Sequence, residues 1–245
     1  MLFMVHKIYP FILGYFLLGA LAFLLINSRK SKAEARQNWL KYSTYFVIIH
    51  VVFFSIVIRP HWFRLLGIII LIVGCVELIM TFRNAGRTHK LFFYSALCIY
   101  ALFSAGFLKF GSLPMETILF AFLLLSIFDA FSQLSGQLAG RTRLFPKVSP
   151  GKTVEGLIGG VVFAMGSALL LSNLEGMDPA RALALATGVV AFAFAGDFLA
   201  SLYKRRYGIK DFSRLLPGQG GFLDRFDSLI AGGSFLGWYF LISGL

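Results

Sequence analysis

Cysteine is scarce in this chain. The two present in 245 residues, Cys75 and Cys98, fall inside apolar runs, so they make no disulfide framework and lack zinc-ligand spacing. The four histidines are scattered. His50 lies within an apolar run, where it is either a proton relay or a packed, hydrogen-bonded side chain, and the packed role is the expectation. Carboxylates are few, 11 against 23 Lys and Arg. No polar stretch is long enough for a sizeable soluble domain. The apolar runs do not alternate with polar residues, which argues against a closed β-barrel. No internal repeat or low-complexity tract is visible, and a basic loop follows the first apolar run, so it is not read as a signal peptide.

What is present is hydrophobicity, 58% of the residues, in recurrent runs of helix-spanning length. The expected fold is all-α: a polytopic integral membrane protein with eight spans, roughly Tyr9–Ile26, Tyr42–Ile58, Leu65–Met80, Leu91–Leu108, Met115–Leu134, Val154–Leu171, Ala182–Ala200 and Leu229–Ile242. A 17-residue helix covers only about 26 Å, so the shorter spans should extend into flanking polar residues. The loops Asn27–Lys41, Arg83–Lys90, Ser135–Thr153 and Ser201–Ser228 hold 18 of the 23 Lys and Arg. That bias places these loops in the cytoplasm and both termini outside, in a bacterial inner membrane. The net charge of +12 then reflects topology and attraction to anionic headgroups rather than a nucleic-acid partner.

Residues 1–245 read as one domain without a linker. Residues 1–110 are apolar spans with plain basic loops, and their one intramembrane carboxylate is Glu77. Residues 111–245 hold most of the Asp, Glu and Gly, so scaffold is expected in the first part and chemistry in the second. Three clusters stand out there. Asp129, Ser132, Gly136 and Gly140 fall at helical spacing on one face. The glycines suit a packing seam, but a carboxylate inside an apolar run needs a partner. In Lys147–Gly156, Ser149 followed by Pro150 reads as a helix start whose free N–H groups, with Lys152, suit phosphate. The Gly-Lys-Thr triplet is no P-loop, because the motif's first Gly would fall at Pro146. An ordinary capped helix with a loop lysine is the plainer alternative.

The third cluster runs from Gly196-Asp197 to Ser228. Asp197, Ser201 and Lys204 share a helix face, and Asp224 and Asp227 share a face of the next helix. Lys204, Arg205, Arg206, Lys210 and Arg214 precede a Pro-Gly turn. Cations beside paired carboxylates suit a phosphate-rich substrate held through a divalent metal, Mg²⁺ above all, with Asp197 meeting Asp224 across the helix pair. A structural salt-bridge network is the alternative.

At these residues the chain resembles the CDP-diacylglycerol synthase (phosphatidate cytidylyltransferase) family. That family's C-terminal motif runs approximately S-x-x-K-R-x4-K-D-x-x-x-x-(I/L)-P-G-H-G-G-x-x-D-R-x-D. It is matched by Ser201, Lys204-Arg205, Lys210-Asp211, Leu216-Pro217-Gly218, Gly220-Gly221, Asp224-Arg225 and Asp227. A second stretch, S-P-x-K-T-x-E-G-x-x-G-G, is matched by Ser149-Pro150, Lys152-Thr153, Glu155-Gly156 and Gly159-Gly160. The matches lie within roughly residues 125–230. The family's His in P-G-H-G-G is Gln219 here. A phosphate monoester has a second pKa of about 6 and needs little general-base help. Gln can still donate to a phosphate oxygen, so Gln219 reads as marking a subgroup.

The resemblance implies CMP transfer from CTP to phosphatidate, giving CDP-diacylglycerol and pyrophosphate. It implies Asp197 and Asp224 on Mg²⁺, with Asp227 as a further ligand and a second cation conceivable. Lys204, Arg205, Lys210 and Arg225, with Asp211, would serve the phosphates. Ser149, Lys152, Thr153, Glu155, Ser201, Gln219 and Asp129 would line the substrate site. The lipid would enter sideways between spans. Gly156-x-x-x-Gly160 and Gly233-x-x-x-Gly237 would let helices pack closely around the cavity or serve a homodimer. Two alternatives stay open: a CTP-dependent lipid kinase of the dolichol-kinase type, and a cation-coupled transporter. A CDP-alcohol phosphotransferase is set aside, because its D-G-x2-A-R-x8-D-x3-D pattern is not found.

Overall fold

The computed structural model describes residues 2–28, 30–175, 177–216, 218 and 220–244. Among them are eight helices: α1 (Leu2–Asn27), α2 (Lys32–Ile58), α3 (Pro60–Asn84), α4 (Lys90–Phe110), α5 (Met115–Ala139), α6 (Val154–Glu175), α7 (Pro179–Arg206) and α8 (Leu223–Ser243). Each contains one expected span and extends beyond it at one end or both, as membrane thickness requires. Local signals set several starts. Ser31 and Glu34 form a reciprocal capping box on α2. Asp178 accepts the Arg181 N–H at α7, with Pro179 in the first turn.

Seven of the eight helices are long and apolar enough to cross a membrane. The eighth, α8, opens on Asp224, Arg225 and Asp227 and is largely buried among the others. Large apolar side chains face outward, Leu25 at 66% exposure and Val162 at 62%. Only lipid accommodates such a surface around a bundle whose backbone is satisfied internally. The chain is an integral membrane protein.

α5 lies at the centre, with every residue from Ile118 to Leu125 buried. α6 meets it along a small-residue seam. A methyl group added at Gly156 would stand 2.7 Å from Ser132 O, and one at Gly160 would stand 2.8 Å from Phe128 O. α8 approaches α4 in the same way: a methyl at Gly233 would meet the Phe107 and Phe110 rings, and one at Gly237 would meet the Gly106 backbone. Both glycine faces offered above to a homodimer are thus occupied within the chain.

One segment departs from the helical expectation. Arg143–Phe145 (β1) and Ser149–Thr153 (β2) form an antiparallel hairpin, with Phe145 opposite Ser149 and Arg143 opposite Thr153. Ser149 therefore does not cap α6, and Pro150 is not in its first turn. Tertiary contacts hold the segment extended. The Phe145 ring lies 4.6 Å from Phe198 and 6.0 Å from Phe194 on α7, and Arg205 Nε donates to Val148 O at 3.0 Å. Thr153 supplies the cap instead, its Oγ1 accepting the Gly156 N–H at 3.1 Å.

Candidate active site

The hairpin, α5, α7, α8 and the 207–222 loop deliver their polar side chains to one cavity of about 990 Å³. Its charged end carries Lys152, Asp197, Lys204, Lys210, Asp211, Arg214, Asp224, Arg225 and Asp227. Its other end is apolar and aromatic. There α1 contributes Phe11, Tyr15 and Phe16, α2 contributes Tyr45 and Ile49, and α6 contributes Leu170 and Leu171. From Gly156 to Leu170, both on the wall, α6 rises about 21 Å, most of one leaflet and more. Tyr15 and Ser167 are hydrogen-bonded across this deep part at 2.5 Å. Tyr42 donates to Phe16 O at 2.8 Å and Tyr45 to Ser126 O at 3.0 Å, tying α1 to α2 and α2 to α5.

Two lysine–carboxylate pairs organise the charged end, and each joins different elements. Lys152 Nζ of β2 lies 2.5 Å from Asp197 Oδ2 of α7. Lys204 Nζ of α7 lies 2.5 Å from Asp224 Oδ1 of α8. The Asp224 carboxylate is buried, and its Oδ2 also accepts the Phe212 and Gly221 N–H groups, at 2.9 and 2.8 Å. Those two bonds fix the loop against the helix that follows it. Gly220, with φ +89°, makes the approach possible, because a side chain there would press on the Asp211 and Asp224 carboxylates. The Lys152 ammonium is buried beside Asp197 and over the Phe194 ring at 4.9 Å, with N–H donors still available to a ligand. Ser132, also on the wall, has a buried hydroxyl without a partner among the described residues.

Asp227 is buried, and its Oδ1 accepts the Ser228 N–H at 2.7 Å. The Ser228 hydroxyl reaches Asp129 Oδ1 at 3.5 Å, so α5 and α8 share a polar contact at membrane depth. Asp129, Asp197 and Asp227 lie within one another's electrostatic reach, with Lys152, Lys204 and Arg225 around them.

Most residues singled out from sequence meet here: Asp129, Ser149, Lys152, Thr153, Asp197, Lys204, Lys210, Asp211, Asp224, Arg225 and Asp227 all line the cavity. Ser201 stands behind Asp197, donating to its Oδ1 at 3.4 Å. Two side chains turn elsewhere. Glu155 accepts the Arg141 and Thr142 N–H groups at 3.1 and 3.2 Å and faces a shallow surface depression. Arg205 holds Val148 O and Ile209 O at the exposed end of α7. Gln219 lies outside the described residues. Asp197 and Asp224 reach the same cavity, but each carries its own lysine. Among the described residues, no three His, Cys, Asp or Glu side chains are arranged to hold a metal by themselves. His50 is packed: its Nδ1 donates to Phe46 O at 2.7 Å and its ring lies 3.9 Å from that of Phe46.

Residues 1–110 supply more than scaffold. Gln37 and Lys41 of α2 line the cavity, and Glu77 of α3 reaches the start of α8. Glu77 carried a signal in the sequence, as the lone carboxylate within an apolar run of that half. Gln37 and Lys41 carried none, since they read as ordinary loop-edge residues.

A model of the cytidylyltransferase family matches residues 1–243. The chain is 32% identical over 216 residues to the phosphatidate cytidylyltransferase of Aquifex aeolicus, which covers 88% of this chain and 78% of that one. It is 39% identical over 118 residues to that of Staphylococcus saprophyticus, covering 47% of this chain and 45% of the relative. With that of Staphylococcus epidermidis it shares 33% over 160 residues, covering 62% of each. The chain thus spans about half to three fifths of the length of these staphylococcal relatives.

Proposed function

The chain belongs to the cytidylyltransferase family, and on that premise we propose that it transfers CMP from CTP to phosphatidate, giving CDP-diacylglycerol and pyrophosphate. One observation carries the reading. A charged basin and an apolar bore form a single cavity, which fits a substrate with an anionic head and aliphatic tails. A phosphatidate oxygen attacks the α-phosphorus of CTP, the bond from that phosphorus to the bridging oxygen breaks, and pyrophosphate leaves. Such chemistry needs positioning and charge neutralisation more than covalent help.

The roles divide by placement. Lys152 and Lys204 come from different elements, each braced by a carboxylate, and would hold phosphates of the two substrates. Lys210, Arg214 and Arg225 rim the same end and would take the pyrophosphate side. Ser132 and Ser149 would donate to phosphate oxygens. A divalent ion such as Mg²⁺ is part of this proposal. Mg²⁺ asks for one or two carboxylates, with substrate phosphates and water completing its shell, so the absence of a three-residue protein cage among the described residues is compatible with it. Asp197 and Asp224, with Asp227 beside them, would hold it, and it would neutralise triphosphate charge. The positive-inside bias of the basic loops supports an orientation in which this end of the cavity would face the cytoplasm of a bacterial inner membrane, where CTP is available.

The test is purified protein in detergent with phosphatidate, Mg²⁺ and CTP labelled in the α-phosphate. Label in a lipid product is expected. Label reaching lipid only from γ-labelled CTP would replace this reading with a lipid kinase, and no transfer from either position would remove both.

A further inference from the structure

We propose that Glu77 is a positioning residue, holding the start of α8 so that Asp224 points into the cavity at Lys204. The need arises locally. The residue at the start of α8 is Phe222, whose side chain cannot cap. The first N–H groups of that helix would be left bare beside apolar helices, which is costly. Glu77, on α3 and only 4% exposed, meets the need from another element. Its Oε1 accepts the Phe222 N–H at 2.9 Å and its Oε2 accepts the Leu223 N–H at 2.7 Å. The Ser213 hydroxyl donates to Oε1 at 2.5 Å. A carboxylate at a helix N-terminus is also favoured by the helix dipole.

The bonds of Glu77 interleave with those of Asp224. Glu77 takes Phe222, Leu223 and the Ser213 hydroxyl; Asp224 takes Gly221 and Phe212. Two buried carboxylates thus share the donors of two adjoining loop segments. Gly221 lies between them, and a side chain there would collide with Glu77 Oε1 and Asp224 Oδ2, at 2.7 and 2.9 Å from its first carbon. With one oxygen of Asp224 held by two backbone N–H groups, the other is aimed at Lys204. If Glu77 no longer accepts, Phe222 and Leu223 must find other partners and the aim of Asp224 relaxes. Outer partners that orient a functional side chain are commonly worth about 10- to 100-fold in affinity or activity. The consequence for turnover rests on the cytidylyl-transfer reading, but the geometry does not.

The experiment therefore reads the geometry first. Substrate-free Glu77→Gln protein in detergent is exposed to an amine-reactive reagent, and labelling at Lys204 is compared with labelling at Lys152. The Gln amide presents a donor where a backbone N–H needs an acceptor. Lys204 labelling should rise about threefold or more relative to Lys152, as it should in Asp224→Asn. If Glu77→Gln does not fold, Ser213→Ala, which removes one donor to Glu77, should give a smaller rise in the same ratio. An unchanged ratio, or equal rises at both lysines, would overturn the proposal. Where the wild-type protein transfers label from CTP, kcat/KM for CTP should fall about tenfold in Glu77→Gln. A wild-type protein that transfers no label would defeat the function proposed above while leaving the labelling result to stand or fall by itself.

Discussion

Lys152 Nζ on the hairpin and Asp197 Oδ2 on α7 are 2.5 Å apart, although 45 positions separate them in the chain. The pair fastens the β1–β2 hairpin over the charged end of the cavity. Lys152→Ala should therefore remove a phosphate donor and loosen that cover together. Transfer should fall about 10²-fold, with KM for CTP raised. Steady-state kinetics with α-labelled CTP checks this, and unchanged constants would return Lys152 to the role of an ordinary loop lysine.

Asp224→Asn should abolish lipid cytidylylation. It should also cost stability, because Lys204, whose side chain is only 12% exposed, loses its counter-charge. About 3 kcal/mol is the expected order. Pairing it with Lys204→Met should restore most of that stability without restoring activity. Thermal unfolding in detergent and the labelled-CTP assay separate the two effects.

The Tyr15–Ser167 bond crosses the deep, apolar part of the cavity. Tyr15→Phe and Ser167→Ala remove it far from the charged end. Each should leave the rate with short-chain phosphatidate within about twofold and shift the preference among long acyl chains. Competition between phosphatidates of different chain length, read by mass spectrometry of the products, tests this. An unchanged product spectrum would detach this bond from chain recognition.

Glu155 and Arg205 match the family motifs yet face away from the cavity. Glu155→Gln should lower turnover by no more than about threefold, since it only secures the turn at Arg141–Thr142. Arg205→Ala should act through the hairpin it holds, raising protease sensitivity within residues 143–153. A hundredfold loss from Glu155→Gln would show that the glutamate reaches substrate after all.

Chelation by EDTA should abolish transfer, and added Mg²⁺ should restore it. Binding of CTP, followed by calorimetry without lipid, should weaken in parallel. Full turnover after exhaustive chelation would leave the lysines and arginines as the sole neutralising groups.

The helices were legible because their apolar runs are long, and even the extension into polar flanks followed from bilayer thickness. Asp197, Lys204 and Asp224 were legible because helical spacing places each on a definite face. The hairpin was not. Ser149-Pro150 has the composition of a helix start, and pairing with Arg143–Phe145 together with the contacts of Phe145, Val148 and Lys152 with α7 holds it extended. Spacing along a helix also says nothing about which cation answers which carboxylate. That is why the lysine beside each carboxylate, Lys152 at Asp197 and Lys204 at Asp224, was not foreseen. Gln37 and Lys41 reach the cavity because α2 lies beside Gly218, through Leu40 and Lys41, a relationship between distant segments that no local pattern encodes.

The bond from Glu77 to the Leu223 N–H spans 146 positions and ties α3 to α8. A ribosome feeding this chain into a bilayer would release α8 after its acceptor had already been threaded. Its acidic opening turn would find a prepared berth rather than naked hydrocarbon. Fragments cut near residue 110 and produced separately should accordingly regain function only when both are inserted in the same membrane.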